Sequence, residues 1–306
     1  MYFGIDFNII SLKTEVRLFP TPLNLLTIME LVHTFWSLPL DKTYFDKYAD
    51  SLRIILLNYA FSAACCHKSN QKIKLFTDEK GIKLFDFIPY DEVNIIKEFS
   101  TNDPRLAANI KFEALKRCTL DDIIVDGDLF LRTEKIFDVI NSKKEDLVCS
   151  FIEPQSYWKD KQVGEILDYF NKNFKSEFNY NLEANPFMFN TSMIKFNNQK
   201  LKDQWIEQYY KYLKKATKLD TKLWLDLILE QIHLTQLVIK NNYSYSVIAE
   251  NFPTQECNNK MLQLGFCHLG ATKKNPNIIK WIFELCEEYK FDFLPKLLNK
   301  LKTELS

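Results

Sequence analysis

The sequence predicts an α/β fold: a mixed, mostly parallel sheet flanked by helices, with a helical C-terminal portion. Three observations predict it. A strand-like segment in 28–36 and an alternating one at 73–78 bracket a helical face made by Leu52, Ile55, Leu56, Tyr59 and Ala63. Strand, helix, strand at such intervals is the signature of a right-handed crossover. A second helical stripe, Leu106, Ile110, Ala114 and Cys118, runs straight into the β-branched run 123–125. That run ends in Asp126-Gly127-Asp128, so two acids stand beyond the carboxyl end of a strand, where open α/β sheets bind their ligands.

Taken in order, residues 1–24 hold two short strand candidates, 7–10 and 16–19, closed by Pro20-Thr21-Pro22. The second half of 28–36 reads as the first core strand and brings Trp36 and Ser37 to its carboxyl end. A flat aromatic there can stack on a base, although a Trp at a strand end is more often core. A helix over 50–66 follows, and the strand at 73–78 closes in a turn at Glu79-Lys80-Gly81. Asp103-Pro104 opens the next helix, with Asp as cap and Pro at the first helical position. Arg105 and Lys111 fall off its buried stripe, and Lys111 is assigned to the cofactor-binding set.

Beyond Asp128, 146–152 reads as a strand, and 187–197 as two short strands broken by Asn190-Thr191-Ser192. The intervening 154–184 is rich in aromatics and charges, with a helical stretch at 163–170. Helices are expected at 199–215 and 221–240; the second carries Asp226, Glu230 and His233 as a polar stripe. Such a stripe is either a solvated surface or a row of working side chains. A short apolar run, 265–273, ends in a polar loop, and helices at 276–289 and 294–304 follow. Lys296, Lys300 and Lys302 beside Leu297, Leu298 and Leu301 make the last one mildly basic and amphipathic. The first reading of it is a helix packed on the body, the second a membrane-surface helix.

Composition narrows the function. Of 306 residues, 46% are hydrophobic and 26% charged, the profile of a soluble globular chain long enough to bury a large core. Forty basic residues balance forty acidic ones, which argues against a general nucleic-acid or anionic-membrane surface. The seven cysteines form no regular framework, so reduced thiols in the cytoplasm are expected. Cys65-Cys66-His67 lacks the ligand spacing of a zinc site. Asp6 interrupts any secretory leader, and no apolar stretch approaches the ~20 residues of a membrane span.

The chemistry centres on the acid pair. Carboxylates two residues apart can both reach one hard cation where the chain turns at Gly127, and a bound ion can hold a diphosphate. The alternative for Asp-Gly-Asp alone is a solvated turn. Three separated pieces point the other way. Asp126-Gly127-Asp128 resembles the Asp-x-Asp motif of nucleotide-sugar glycosyltransferases with the GT-A fold. Phe189-Asn190-Thr191-Ser192-Met193 resembles the segment that lines the sugar site in the glycogenin and bacterial galactosyltransferase group. His268-Leu269-Gly270-Ala271-Thr272-Lys273 is similar to that group's His-x-x-Gly-x-x-Lys loop, one residue shorter between His268 and Gly270.

The resemblance, over about residues 28–275, implies a GT-A-like single domain over 1–306. Within it, 25–130 is the nucleotide-binding half, 131–275 the sugar and acceptor half, and 276–306 the C-terminal helices. It implies Mn²⁺ (or Mg²⁺) held by Asp126, Asp128 and His268, a set that suits Mn²⁺ better because one ligand is an imidazole. It places Trp36, Ser37, Lys111, Gly127, Gly270 and Lys273 with the UDP-sugar, and Asn190, Glu230 and Lys273 in catalysis. Glu230-Gln231 is similar to the acid-Gln pair such enzymes carry beneath the sugar. The family leans towards retention of configuration. The acceptor, whether glycan, lipid-linked or protein, is expected against 154–184, where Tyr157, Trp158 and Tyr180 can stack on it. His33, His67 and His233 are read as structural. Two other readings stand beside this one: a nucleotidyltransferase or phosphosugar enzyme, and a non-catalytic α/β interaction module.

Overall fold

In a computed structural model of the chain, the described residues are 29–41, 48–154, 163–173, 187–218, 225–226, 228–250, 254–269, 280–285 and 292–304. The expectations for 1–24, Tyr157, Trp158, Tyr180, Leu223, Leu227, Gly270 and Lys273 lie outside them.

Strands β1 (Glu30–Phe35), β2 (Lys72–Thr77), β3 (Glu92–Ile95) and β4 (Asp122–Val125) form a parallel half-sheet in the order β3-β2-β1-β4. Beyond β5 (Leu129–Leu131), the strands β6 (Leu147–Pro154), β7 (Phe187–Phe189), β8 (Met193–Phe196) and β9 (Tyr245–Ala249) complete the sheet. There β8 runs antiparallel between β4 and β6, and β9 pairs parallel with β6. This is the mixed, mostly parallel eight-stranded sheet the sequence predicts. β5 pairs apart from it, antiparallel to β10 (Phe266–His268).

Alternation explains why both faces are covered. Leu31, Ile123 and Val125 join one buried cluster, whereas Val32 and Ile124 join the other. The first is roofed by α2 (Tyr48–Lys68), α5 (Glu134–Ser142), α9 (Gln255–Gln263) and α10 (Leu294–Glu304), with a helical segment at 280–285. The second is roofed by α4 (Asn109–Leu115), α6 (Val163–Asn173), α7 (Gln199–Ala216), a π-helix (Ile228–Ile232) and α8 (His233–Lys240). A short α1 (Leu38–Asp41) follows β1, and α3 (Glu79–Phe85) follows β2. Among the described residues no helix is long and apolar enough to cross a membrane.

Two local expectations are corrected. Glu79-Lys80-Gly81 begins α3 rather than a turn, because the Asp78 carboxylate accepts from Gly81 N and caps that helix. Asp103-Pro104 does not open a helix. The Asp103 carboxylate is occupied by the backbone and guanidinium of Arg105, and α4 starts only at Asn109. Its N-terminal donor, Ala108 N, is satisfied from afar by Asp226 Oδ2 at 2.9 Å.

Burial lowers His33 and His233 to about 3, so both rings are neutral in the fold. In the unfolded chain each titrates near ~6.5. Between those values the unfolded state binds more protons, so this stability is complete above the higher one and is lost as pH falls towards the lower. The unfolding free energy from urea denaturation should drop between pH 7 and pH 5, by about 2 kcal/mol per histidine. His233→Phe, which keeps a ring against Tyr212, should flatten that slope; an unchanged slope would refute the assignment.

Candidate active site and metal centre

β4 delivers its acids to the middle of the sheet. Asp126 N donates to Ser192 O at 2.7 Å, extending the β4–β8 ladder by one step, and Leu129 N returns to Asp126 O at 3.0 Å. Gly127 is required by space rather than by backbone conformation: a Cβ would meet the Tyr59 ring at 2.2 Å, whereas the positive-φ glycine of the described residues is Gly265. The chain then enters β5, where Leu129 pairs with His268 of β10 and Leu269 N donates to Asp128 O at 3.1 Å. A side-chain ligand atom from each of Asp126, Asp128 and His268 lies within 4.8 Å of the others. Among the described residues it is the one cluster of acids, histidines or cysteines with metal-ligand spacing. Two carboxylates and an imidazole form a donor set that fits a divalent ion such as Mn²⁺.

Beside this cluster stands a buried cation. Lys111 is 5% exposed; its Nζ lies 2.9 Å from Asp126 Oδ1 and 2.5 Å from Glu230 Oε1 and donates to Thr191 O at 3.1 Å. Thr191 Oγ1 also donates to Glu230 Oε1, at 2.6 Å. Burial alone would lower the lysine's pKa, but the Asp126 and Glu230 carboxylates outweigh it and hold Lys111 above its ordinary value. The residue that falls off the apolar stripe of its helix is therefore buried for an electrostatic reason.

The polar stripe is not a solvated surface. Asp226, Glu230 and His233 are all buried, and Glu230 sits in the π-helix, where its carbonyl accepts from the Trp205 indole at 3.2 Å. A π-turn in place of the expected α-helix is common where a side chain is re-aimed at a site.

Asn190 lies in the break between β7 and β8. β6 pairs with both, through Ile152↔Phe189 and Cys149↔Ile194. Two residues of β6 lie between those pairs against four of the other strand, so the chain bulges at Asn190-Thr191-Ser192. Asn190 Nδ2 donates to Glu153 Oε1 at 2.7 Å, and its Oδ1 accepts from Ser192 N and Ser150 Oγ, each at 3.0 Å. Trp36 is 6% exposed, stacked on Phe99 with centroids 4.7 Å apart; Ser37 donates to Asp78 through N and Oγ. Both stand at the carboxyl end of β1, next to β4. Sequence reasoning passed over Glu153 and gave Thr191 no role of its own. The legible signals were an acid ending an otherwise apolar strand and a hydroxyl inside the polar triplet.

A family described as "Family of unknown function (DUF6734)" matches residues 29–299, nearly all of the chain on which this geometry is built. The chain belongs to DUF6734. No curated protein matches this member of the family. Solved structures similar to this DUF6734 chain include the galactosyltransferase LgtC in complex with donor and acceptor sugar analogs. It is 11% identical, with a TM-score of 0.43, and the match covers 83% of this chain and 95% of that one. An active-site mutant of LgtC matches with 11% identity and a TM-score of 0.43 over 85% and 96% of the two chains. A 4-diphosphocytidyl-2C-methyl-D-erythritol synthase from Anaerococcus prevotii matches with 14% identity and a TM-score of 0.36 over 78% and 97%.

Removing Lys111 leaves two carboxylates facing each other without their cation. Asp126 keeps 35% of its side chain in solvent, which moderates the penalty. Lys111→Met should cost about 3 kcal/mol in metal-free denaturant unfolding. A loss below the error of that measurement would show that the ammonium does not hold the acids together.

Proposed function

We propose that this chain is a GT-A-like, metal-dependent glycosyltransferase that moves a hexose-type sugar from a UDP-sugar to an acceptor with retention of configuration. The observation that carries this reading is the convergence of Asp126, Asp128 and His268 within 4.8 Å, beside the buried Lys111–Glu230 pair. Asp126, Asp128 and His268 would hold Mn²⁺ (or Mg²⁺). When bound, the ion supplies positive charge to the diphosphate as it leaves.

The remaining roles fall to the chain's own groups. Lys111 keeps Asp126 aimed, because its ammonium is shared between that acid and Glu230. Glu230, locked by Lys111 and Thr191, orients sugar hydroxyls and opposes positive charge at the anomeric carbon. Asn190, held by Glu153 and Ser150, lines the sugar. Trp36, Ser37 and Gly127 border the nucleotide. Gly270 and Lys273 belong with the nucleotide sugar, Lys273 neutralising the departing phosphate. The acceptor is a glycan, a lipid-linked sugar or a protein, met in the cytoplasm.

Isothermal titration with UDP, with and without Mn²⁺, separates this reading from a non-catalytic interaction module, which shows no metal-dependent binding. Asp128→Asn should abolish Mn²⁺-dependent UDP binding while leaving the metal-free thermal midpoint nearly unchanged. Wild-type affinity in the Asp126→Asn/Asp128→Asn variant sinks the metal assignment. A screen of nucleotide sugars for metal-dependent hydrolysis then identifies the donor; turnover of nucleoside triphosphates with pyrophosphate release instead would favour a nucleotidyltransferase.

Glu230→Gln keeps volume and removes charge. UDP binding should persist while transfer falls at least about tenfold, equivalent to ~1.4 kcal/mol. Full transfer activity in that variant removes Glu230 from the mechanism.

A further inference from the structure

On the sheet face opposite Lys111, a second set of polar groups lies under the metal loop. His33 of β1 is fully buried; its Nδ1 is 3.0 Å from the Tyr90 hydroxyl and its Nε2 is 3.0 Å from Ser62 Oγ. Ser62, on α2, donates its hydroxyl to the Leu129 carbonyl at 2.7 Å. A serine hydroxyl carries one hydrogen, and this one is spent on Leu129, so Ser62 accepts from His33. The ring proton therefore sits on Nε2, and Nδ1 accepts from Tyr90. Burial keeps the ring neutral, consistent with its lowered pKa of about 3. All three bonds point one way, from Tyr90 through His33 and Ser62 to Leu129.

The receiving residue is what makes this more than a buried polar network. Leu129 follows Asp128, its N closes the turn on Asp126 O at 3.0 Å, and it pairs with His268 across β5–β10. One turn back on α2, Tyr59 donates to Thr34 O at 2.6 Å and fills the space beside Gly127. The α2 face thus props the loop from below at both ends. A loop already held in its binding geometry is not reordered when an ion arrives.

We propose that Tyr90, His33 and Ser62 form a one-way hydrogen-bond relay that positions Asp128 and His268, with Ser62 as the positioning residue in contact with the loop. The proposal rests on the metal reading above. ¹⁵N spectra of the histidine-labelled, metal-free protein at pH 7 should find His33 as the neutral Nε2–H tautomer; an Nδ1–H or doubly protonated ring overturns the relay. Mn²⁺ is then titrated at fixed UDP, with free Mn²⁺ counted by electron paramagnetic resonance. Ser62→Ala should weaken Mn²⁺ binding roughly tenfold or more, and Ser62→Thr, which keeps the hydroxyl, should restore it. Wild-type Mn²⁺ affinity in Ser62→Ala refutes the positioning role and leaves the metal reading standing. No Mn²⁺ uptake by the wild type refutes the metal reading and this proposal with it. If Ser62→Ala does not fold, Tyr90→Phe takes its place, removing only the first donor of the relay from a partly buried residue. Unchanged Mn²⁺ affinity there has the same meaning.

Discussion

The buried ammonium of Lys111 is the interaction on which the rest of the site depends. It draws together three segments distant in sequence: the acid after β4, the π-helix carrying Glu230 and the Asn190–Ser192 break. Each carboxylate would be costly to bury alone, and the lysine would be costlier still. Together they compensate one another, and Thr191 satisfies further lone pairs and donors through its backbone and its hydroxyl. The arrangement leaves one point where ligand atoms of Asp126, Asp128 and His268 lie within 4.8 Å of one another.

The scaffold supports that point from both faces of the sheet. From one side come α4 and the π-helix, which carry charge. From the other comes α2, which carries hydroxyls and an aromatic ring. The difference follows from the alternation in β1 and β4, whose side chains feed two separate buried clusters. The Lys111 ammonium and its paired acids lie on the first side, and the neutral Tyr90–His33–Ser62 series lies on the second. On the charged side, Asp226 satisfies the start of the helix that carries Lys111.

Much of the architecture was legible in the sequence because it depends on local periodicity. The stripe through Leu106, Ile110, Ala114 and Cys118 is buried as its spacing requires, although the helix itself is shorter. The strands bearing 30–35, 72–77, 122–125 and 147–154 follow from β-branched and alternating runs bounded by polar residues. Short edge elements were harder. β3, with Glu92, Val93 and Asn94 and largely exposed, has no apolar face for a pattern to reveal.

What the sequence by itself determined is the succession of the main strands and helices and the candidate groups for chemistry: the acid pair after a strand, the polar triplet, the late histidine. These are local facts, set by side-chain type and by spacing within one element. Only the tertiary structure decided who meets whom. It brought His268 to Asp128 through a two-stranded ladder between residues far apart in sequence, and it turned Glu230 inward by a π-turn. It also made Lys111 a buried residue, because two acids from other elements outweigh the cost of taking its charge out of water. Desolvation and charge pairing depend on distances across the fold, and no periodicity in the chain records them.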